Sequence, residues 1–194
     1  MSKTLKTVLI IVGILVLIIM VPLLYLKGTY NSLVTMDEGV KAAWAQVENQ
    51  LQRRYDLNPN YVETVKGYAA HEKEVFIKVT EARSRVAGAT SIGDKIGANN
   101  QLSSALARLL VVVERYPDLK ADTGFRQLSN RISEIEDQIA DRRELYNASV
   151  TIYNTRLDQF PDLIIARTFN FASRALWKID PEHRQDVEVS FDHS

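Results

Sequence analysis

VLIIVGILVLIIMVPLLYLKGTYNSLVTMDEGVKAAWAQVENQL, residues 8–51, carries two helical patterns one after the other. Residues 8–26 contain no charged side chain, and about 20 apolar residues at ~1.5 Å rise match a ~30 Å hydrocarbon layer. The run predicts a transmembrane helix over 8–27, anchored by Val8, Leu15, Pro22, Tyr25 and Lys27, with Tyr30 just beyond. Tyr25 and Tyr30 stand where aromatic rings favour headgroups, and Lys27 can snorkel beside them. The alternative, a cleavable signal peptide, would have a shorter apolar stretch followed by small residues. Pro22, Leu23, Leu24, Tyr25, Leu26 and Lys27 stand there instead. Lys3 and Lys6 sit in a short tail, residues 1–7. Positive charge tends to stay inside, so the N-terminus is expected in the cytoplasm and the rest of the chain across the membrane.

Beyond Gly28 the apolar residues change to spacings of three and four: Leu33, Met36, Val40, Trp44, Val47 and Leu51. This is the stripe of a helix that buries one face, and it extends to about Tyr55. Asn58, Pro59 and Asn60 then predict a turn, with Asn58 as a cap and Pro59 at the first position of a second helix. Arg53, Arg54 and Asp56 just before it read as a local ion-pair and capping network or as a docking patch. Val62, Val65, Ala69, Phe76, Val79, Ala82 and Val86 supply the second stripe, ending near Ala87. Residues 88–100, GATSIGDKIGANN, read as a glycine-rich loop. Leu102, Leu106, Leu109, Val112 and Val113 mark a third helix, stopped at Tyr116-Pro117. Asp122 or Thr123 can cap a fourth, whose heptad positions are Phe125, Leu128, Ile132, Ile135 and Ile139, then Tyr146, Val150, Tyr153 and Leu157. No segment alternates as a strand does. The expected fold is all-α: an N-terminal transmembrane helix, then an antiparallel up-down four-helix bundle over residues 28–158.

That topology brings residues 159–180 back to the membrane. Phe160, Leu163, Ile164, Ile165, Phe169, Phe171 and Trp177 lie among Arg167, Arg174 and Lys178, the mixture of an interfacial segment. The same residues could instead close the open end of the core, with equal loss of wetted apolar area. Residues 181–194 read as a polar tail. Tyr-Asn recurs at 30–31, 146–147 and 153–154, the last two pairs one heptad apart. Asn147 and Asn154 are therefore expected to form a polar seam that fixes helix register.

Composition narrows the function. Lys and Arg number 24, Asp and Glu 24, so no charge excess draws the chain to nucleic acid. Cysteine is absent, which removes disulfides, thiolate metal sites and thiol nucleophiles. A di-metal carboxylate bundle needs two Glu-x-x-His pairs, yet His71 alone falls in a predicted helix. His71-Glu72 lacks the second histidine of a zinc-protease helix, since Val75 stands there. Lys95 is followed by Ile96 rather than the Ser or Thr of a phosphate loop. No enzymatic constellation and no cofactor are expected.

Residues 50–72 (QLQRRYDLNPNYVETVKGYAAHE), 80–86 (TEARSRV), 109–121 (LLVVVERYPDLKA), Tyr146-Asn147 and 160–166 (FPDLIIA) resemble the bacterial LemA family. The resemblance implies an anchored antiparallel four-helix bundle without established catalysis, in the bacterial inner membrane with its C-terminal domain periplasmic or extracellular. Asn58 and Tyr61 stand where the family's motif implies aliphatic residues, and Asp141 where it implies a small one. The expected partners are the lipid bilayer, further copies of the chain, to which Val111 and Ile152, apolar positions outside the main stripes, would contribute, and an envelope membrane protein. Three functions are open: a self-assembling scaffold, an accessory subunit of an envelope protease as the family's gene neighbourhoods imply, or a ligand-binding sensor.

Overall fold

The computed structural model describes residues 3–69 and 71–178. Six helices succeed one another: α1 (Lys3–Tyr68), α2 (Lys73–Gly88), α3 (Ile92–Val113), α4 (Pro117–Ala121), α5 (Thr123–Asp158) and α6 (Asp162–Thr168). No strand occurs among the described residues. The start of the proposed cytoplasmic tail and the polar tail 181–194 lie outside them, as do residues 179 and 180 of the membrane-proximal segment.

The apolar run and the first amphipathic stripe belong to one helix of 66 residues. From Val8 onward this helix is long and apolar enough to cross a membrane, and its large apolar side chains over that run are exposed.

The turn expected at Asn58, Pro59 and Asn60 does not form: α1 continues through all three to Tyr68. Proline inside a helix removes one backbone bond and crowds the preceding turn. Burial outweighs that cost. Trp44, Val47, Leu51, Arg54, Asn58, Tyr61 and Val65 are all buried, so one stripe with steps of three and four passes through the Asn-Pro-Asn string with two polar members. The reversal falls later, between Tyr68 and Lys73, so the expected second helix is split between the end of α1 and α2.

The expected loop 88–100 is also mostly helix, since α3 begins at Ile92. Ser91 caps it by accepting a hydrogen bond from the Asp94 amide at 3.0 Å, the Ser-x-x-acid signature of a helix start. Gly93 and Gly97 each cost about 1 kcal/mol in a helix interior, but Ile96 and Asn99 are buried and lead directly into Leu102. The expected fourth helix forms as one piece, α5, with Asp122 as its cap through Phe125 N at 2.7 Å.

The chain divides into two compact units, Met1–Ala42 with Ala148–Arg174 and Ala43–Asn147 with Ala175–Ser194. In the second, one apolar cluster joins Tyr61, Val62, Val65 and Ala69 of α1 and its end, Phe76, Val79 and Ala82 of α2, and Leu102 to Val113 of α3. Leu119 of α4 and Phe125 and Ile132 of α5 complete it. Burying each large aliphatic side chain contributes about 1.5–3 kcal/mol, which is why this pattern dominates local propensity. The first unit buries Leu33 and Val40 of α1, Val150, Tyr153 and Leu157 of α5, and Ile165 and Ala166 of α6.

Candidate functional site

Pro161, which cannot extend α5, is followed by Asp162 at the start of α6. A carboxylate is favoured there by the helix dipole. Asp162 is nonetheless 2% exposed, and a buried charge costs several kcal/mol unless its oxygens are paired. Three side chains pair it. Tyr25 Oη donates to Oδ1 at 2.5 Å and Thr29 Oγ1 donates to the same atom at 3.2 Å. Arg156 forms an ion pair with Oδ2. Tyr25 belongs to the apolar run of α1, so α6 is bound to the end of the candidate membrane helix by a polar contact.

Helix α6 ends in a Schellman motif: Phe171 N donates to Ala166 O at 2.9 Å and Asn170 N to Arg167 O at 3.3 Å. Asn170 has φ 59°, a left-handed conformation that asparagine tolerates better than most side chains. Tyr30 meets Phe169 and Phe171 edge-on, with centroids 4.9 and 5.7 Å away. The chain then extends without regular structure. Asn154 grips its main chain twice, donating to Arg174 O and accepting from Arg174 N, both at 2.9 Å. The Arg174 guanidinium donates to Asp37 Oδ1 from Nε at 2.9 Å and Nη2 at 2.6 Å. Burial raises the Asp37 pKa, but hydrogen bonds from Lys41 and Arg174 outweigh it and leave the carboxyl below its usual range.

The second unit holds its own polar cluster. Arg54 is 1% exposed. Its Nη1 donates to Ser103 Oγ at 2.6 Å and Glu136 Oε1 at 2.8 Å, and its Nη2 to Asn99 Oδ1 at 2.6 Å. Neither Arg54 Nε nor either polar atom of Asn58 has a protein partner among the described residues. Burial pushes the Tyr61 phenol up to about 12. Asn147 clips Trp177 as Asn154 clips Arg174: Nδ2 donates to Trp177 O at 3.0 Å and Oδ1 accepts from Trp177 N at 2.8 Å. Tyr146 Oη donates to Ala175 O at 2.7 Å. The Trp177 indole donates to Asn100 Oδ1 at 2.9 Å, and Trp44 packs near Tyr146 and Trp177.

These positions sort the expected site residues. Val8, Leu15, Pro22 and Lys27 are exposed on α1, while Tyr25 and Tyr30 engage α6 and the residues after it. Within the expected membrane-proximal segment, Ile165 and Trp177 are buried, Leu163 and Phe171 half-buried, and Phe160, Ile164 and Phe169 exposed. Arg54 and Asn58 are core residues and cannot form a docking patch, whereas Arg53, Asp56 and Asn60 are exposed on a helix and Pro59 is half-buried. Asn147 and Asn154 both bond to the main chain of the extended segment, at Trp177 and Arg174. Their amides match the donor and acceptor of an extended main chain, which has both groups free. The expectations did not include Thr29, Asp37, Arg156 and Asp162, or Asn99, Ser103 and Glu136. Of these only Asp162 left a local signal, a proline and an acid preceding an apolar run.

Nothing here arranges a nucleophile, base and oxyanion donors together, and no group of three or more His, Asp or Glu is placed to hold a metal ion among the described residues. The arrangement fastens helices and an extended segment. A family model described as "LemA family" matches residues 43–191. The chain belongs to the LemA family. The match includes Arg54, Asn147, Asn154 and Asp162, while Tyr25 and Thr29 precede it. This LemA-family chain is 30% identical over 158 residues to Magnetosome protein MamQ 2 of Paramagnetospirillum magneticum, across 68% of this chain and 58% of that protein. Magnetosome protein MamQ of Magnetospirillum gryphiswaldense is 28% identical over the same shares. Protein LemA of Metamycoplasma hominis is 26% identical over 164 residues, 84% of this chain and 75% of the relative. The chain thus spans 58% of the length of the MamQ proteins it matches.

Proposed function

We propose that this LemA-family chain is a non-enzymatic scaffold, anchored in the bacterial inner membrane with its N-terminus cytoplasmic, and self-assembling through helix faces. The observation that carries the reading is α1, in which one helix bears both a lipid-length apolar run and the packing stripe of the core. Anchor and core are then one element, so a partner held by the core is held at the membrane. Family membership supports a membrane-associated helical protein.

The finer architecture in this proposal is an antiparallel up-down four-helix bundle. Partners of α1 in α5 support it, since they descend as α1 rises: Gln46 with Arg142 at 3.0 Å, Arg54 with Glu136 at 2.8 Å, and Tyr61 with Phe125 at 5.4 Å between centroids. Partners in α3 rise together with α1, Glu48 with Lys95 and Arg54 with Asn99. Partners in α2 descend, Tyr55 with Arg83 and Lys66 with Phe76. The apolar surfaces offered for self-assembly are Val111 and Ile152, which are 68% and 60% exposed on their helices.

The test is the mass of the full chain purified in mild detergent. A protein mass at a multiple of 22.0 kDa, reduced by Val111→Lys or Ile152→Lys, is the expected outcome. A monomer at every concentration removes self-assembly. Release of the protein from membranes by alkaline carbonate removes the anchor.

A further inference from the structure

We propose that the apolar edge formed by Phe160, in the turn before α6, and Ile164, within it, is a second lipid contact that enters the bilayer interface beside the anchor. It rests on the membrane-anchored reading of α1 and adds a surface to it. Phe160 is 81% exposed and Ile164 is 58% exposed, while Asp162, Ile165 and Ala166 of α6 are buried. The helix therefore has a satisfied inner face and an apolar outer edge.

The depth of that edge follows from what α6 touches. Asp162 is hydrogen-bonded to Tyr25 and Thr29, and Phe169 rests against Tyr30. Tyr25 lies within the uncharged run of α1, and Lys27 begins its polar flank. Aromatic residues and lysine at the end of such a run occupy the headgroup layer. A helix fastened to Tyr25 and Thr29 is held at that layer, within reach of the acyl boundary where interfacial apolar side chains reside. Lipid accordingly fits this edge as its occupant, because the edge adjoins the surface already assigned to the bilayer. The pairing of Asp162 fits the same depth: a carboxylate near lipid must be neutralised by neighbours, and here both oxygens are partnered.

The chain contains no cysteine, so single introduced cysteines give unambiguous label sites. Phe160→Cys, Ile164→Cys, Leu15→Cys and, at an exposed charged position of α2, Glu81→Cys are each made in the full chain, spin-labelled, and reconstituted in nanodiscs of phosphatidylcholine and phosphatidylglycerol (3:1). Collision with oxygen, which concentrates in lipid, is compared with collision with a water-soluble nickel chelate. The expected result is oxygen-rich, nickel-protected labels at 160 and 164, intermediate between Leu15 in the apolar run and water-exposed Glu81. Nickel access at 160 and 164 equal to that at 81, with Leu15 still protected, overturns the lipid contact and leaves the anchor standing. Labels at 160 and 164 hidden from both reagents overturn it in favour of a covering protein surface, such as a second copy. Nickel access at Leu15 itself defeats the anchored reading and this proposal together. Phe160 is nearly free of protein contact, so its replacement leaves the core intact; circular dichroism of each variant checks that, and Ile164→Cys decides independently if Phe160→Cys is perturbed.

Discussion

Asp162 in one unit and Arg54 in the other are both buried charges, but their surroundings differ in completeness. Both carboxylate oxygens of Asp162 are partnered, by Tyr25, Thr29 and Arg156. Arg54 spends its two terminal nitrogens on Ser103, Glu136 and Asn99, leaving Nε, one helical turn from the Asn58 amide, without a hydrogen-bond partner among the described residues, as is that amide. A closed hub fixes a peripheral helix, whereas an open one sits within a core that apolar packing already holds. Removal of either charge strands its partners, but only the open hub leaves room for improvement.

The largest effect is expected from Arg54→Ala, which leaves Glu136, Asn99 and Ser103 without their common donor and should cost about 3–5 kcal/mol. Denaturant unfolding of the full chain in detergent, followed by helix content, measures it. A loss below about 1 kcal/mol would show that the apolar cluster alone organises that unit. Asp162→Asn keeps an acceptor for Tyr25 and Thr29 but strands Arg156, and about 1–3 kcal/mol of local stability should be lost. Faster hydrogen exchange confined to residues 160–170 is its signature; uniform acceleration would contradict the local role. Asn58→Leu should raise stability by about 1–2 kcal/mol, because it removes an unpaired buried amide at similar volume.

Titration separates the same two units. Asp37, held below its usual range in the first unit, adds stability that is present above the unfolded carboxylate value and disappears as pH falls through the folded one. Tyr61 in the second, pushed up to about 12, contributes fully below pH ~10, the unfolded phenol value, and its contribution is lost as pH rises from there toward about 12. Exchange protection near Arg174 should therefore fail first in acid, and Tyr61→Phe should flatten the alkaline limb of global unfolding. The smallest effect is expected at Asn170: glycine there should be neutral or stabilising by less than about 1 kcal/mol, since it adopts the left-handed conformation without a Cβ penalty.

Helix class and the long elements were legible in the sequence because burial repeats: the stripe Leu33 to Leu51 and the heptads of α5 need only one-dimensional spacing. Pro59 misled because propensity acts locally, whereas the stripe through Arg54 and Asn58 becomes visible only when polar residues are admitted as core members. The loop 88–100 misled through its glycines, although Ser91 and Asp94 already spelled a cap. The hubs were less accessible. Asp162 meets Tyr25 across a separation of 137 residues, and no spacing rule reaches that far. Asn147 and Asn154 were noticed for their heptad interval, but helix rise alone does not name the partner. Seven helical residues advance ~10.5 Å and three extended residues ~10 Å, the interval between 174 and 177.

Each of those two asparagines holds a backbone N–H and C=O, and such recognition ignores the identity of the residue being held. The grips themselves exclude only proline, because each uses a backbone N–H, but Arg174 and Trp177 are fixed besides by their own side chains, the guanidinium on Asp37 and the buried indole on Asn100. Drift among relatives is then expected to fall on exposed Ala175 and Leu176 between the two grips and to spare the asparagines on either side, the reverse of a site that selects its ligand by shape.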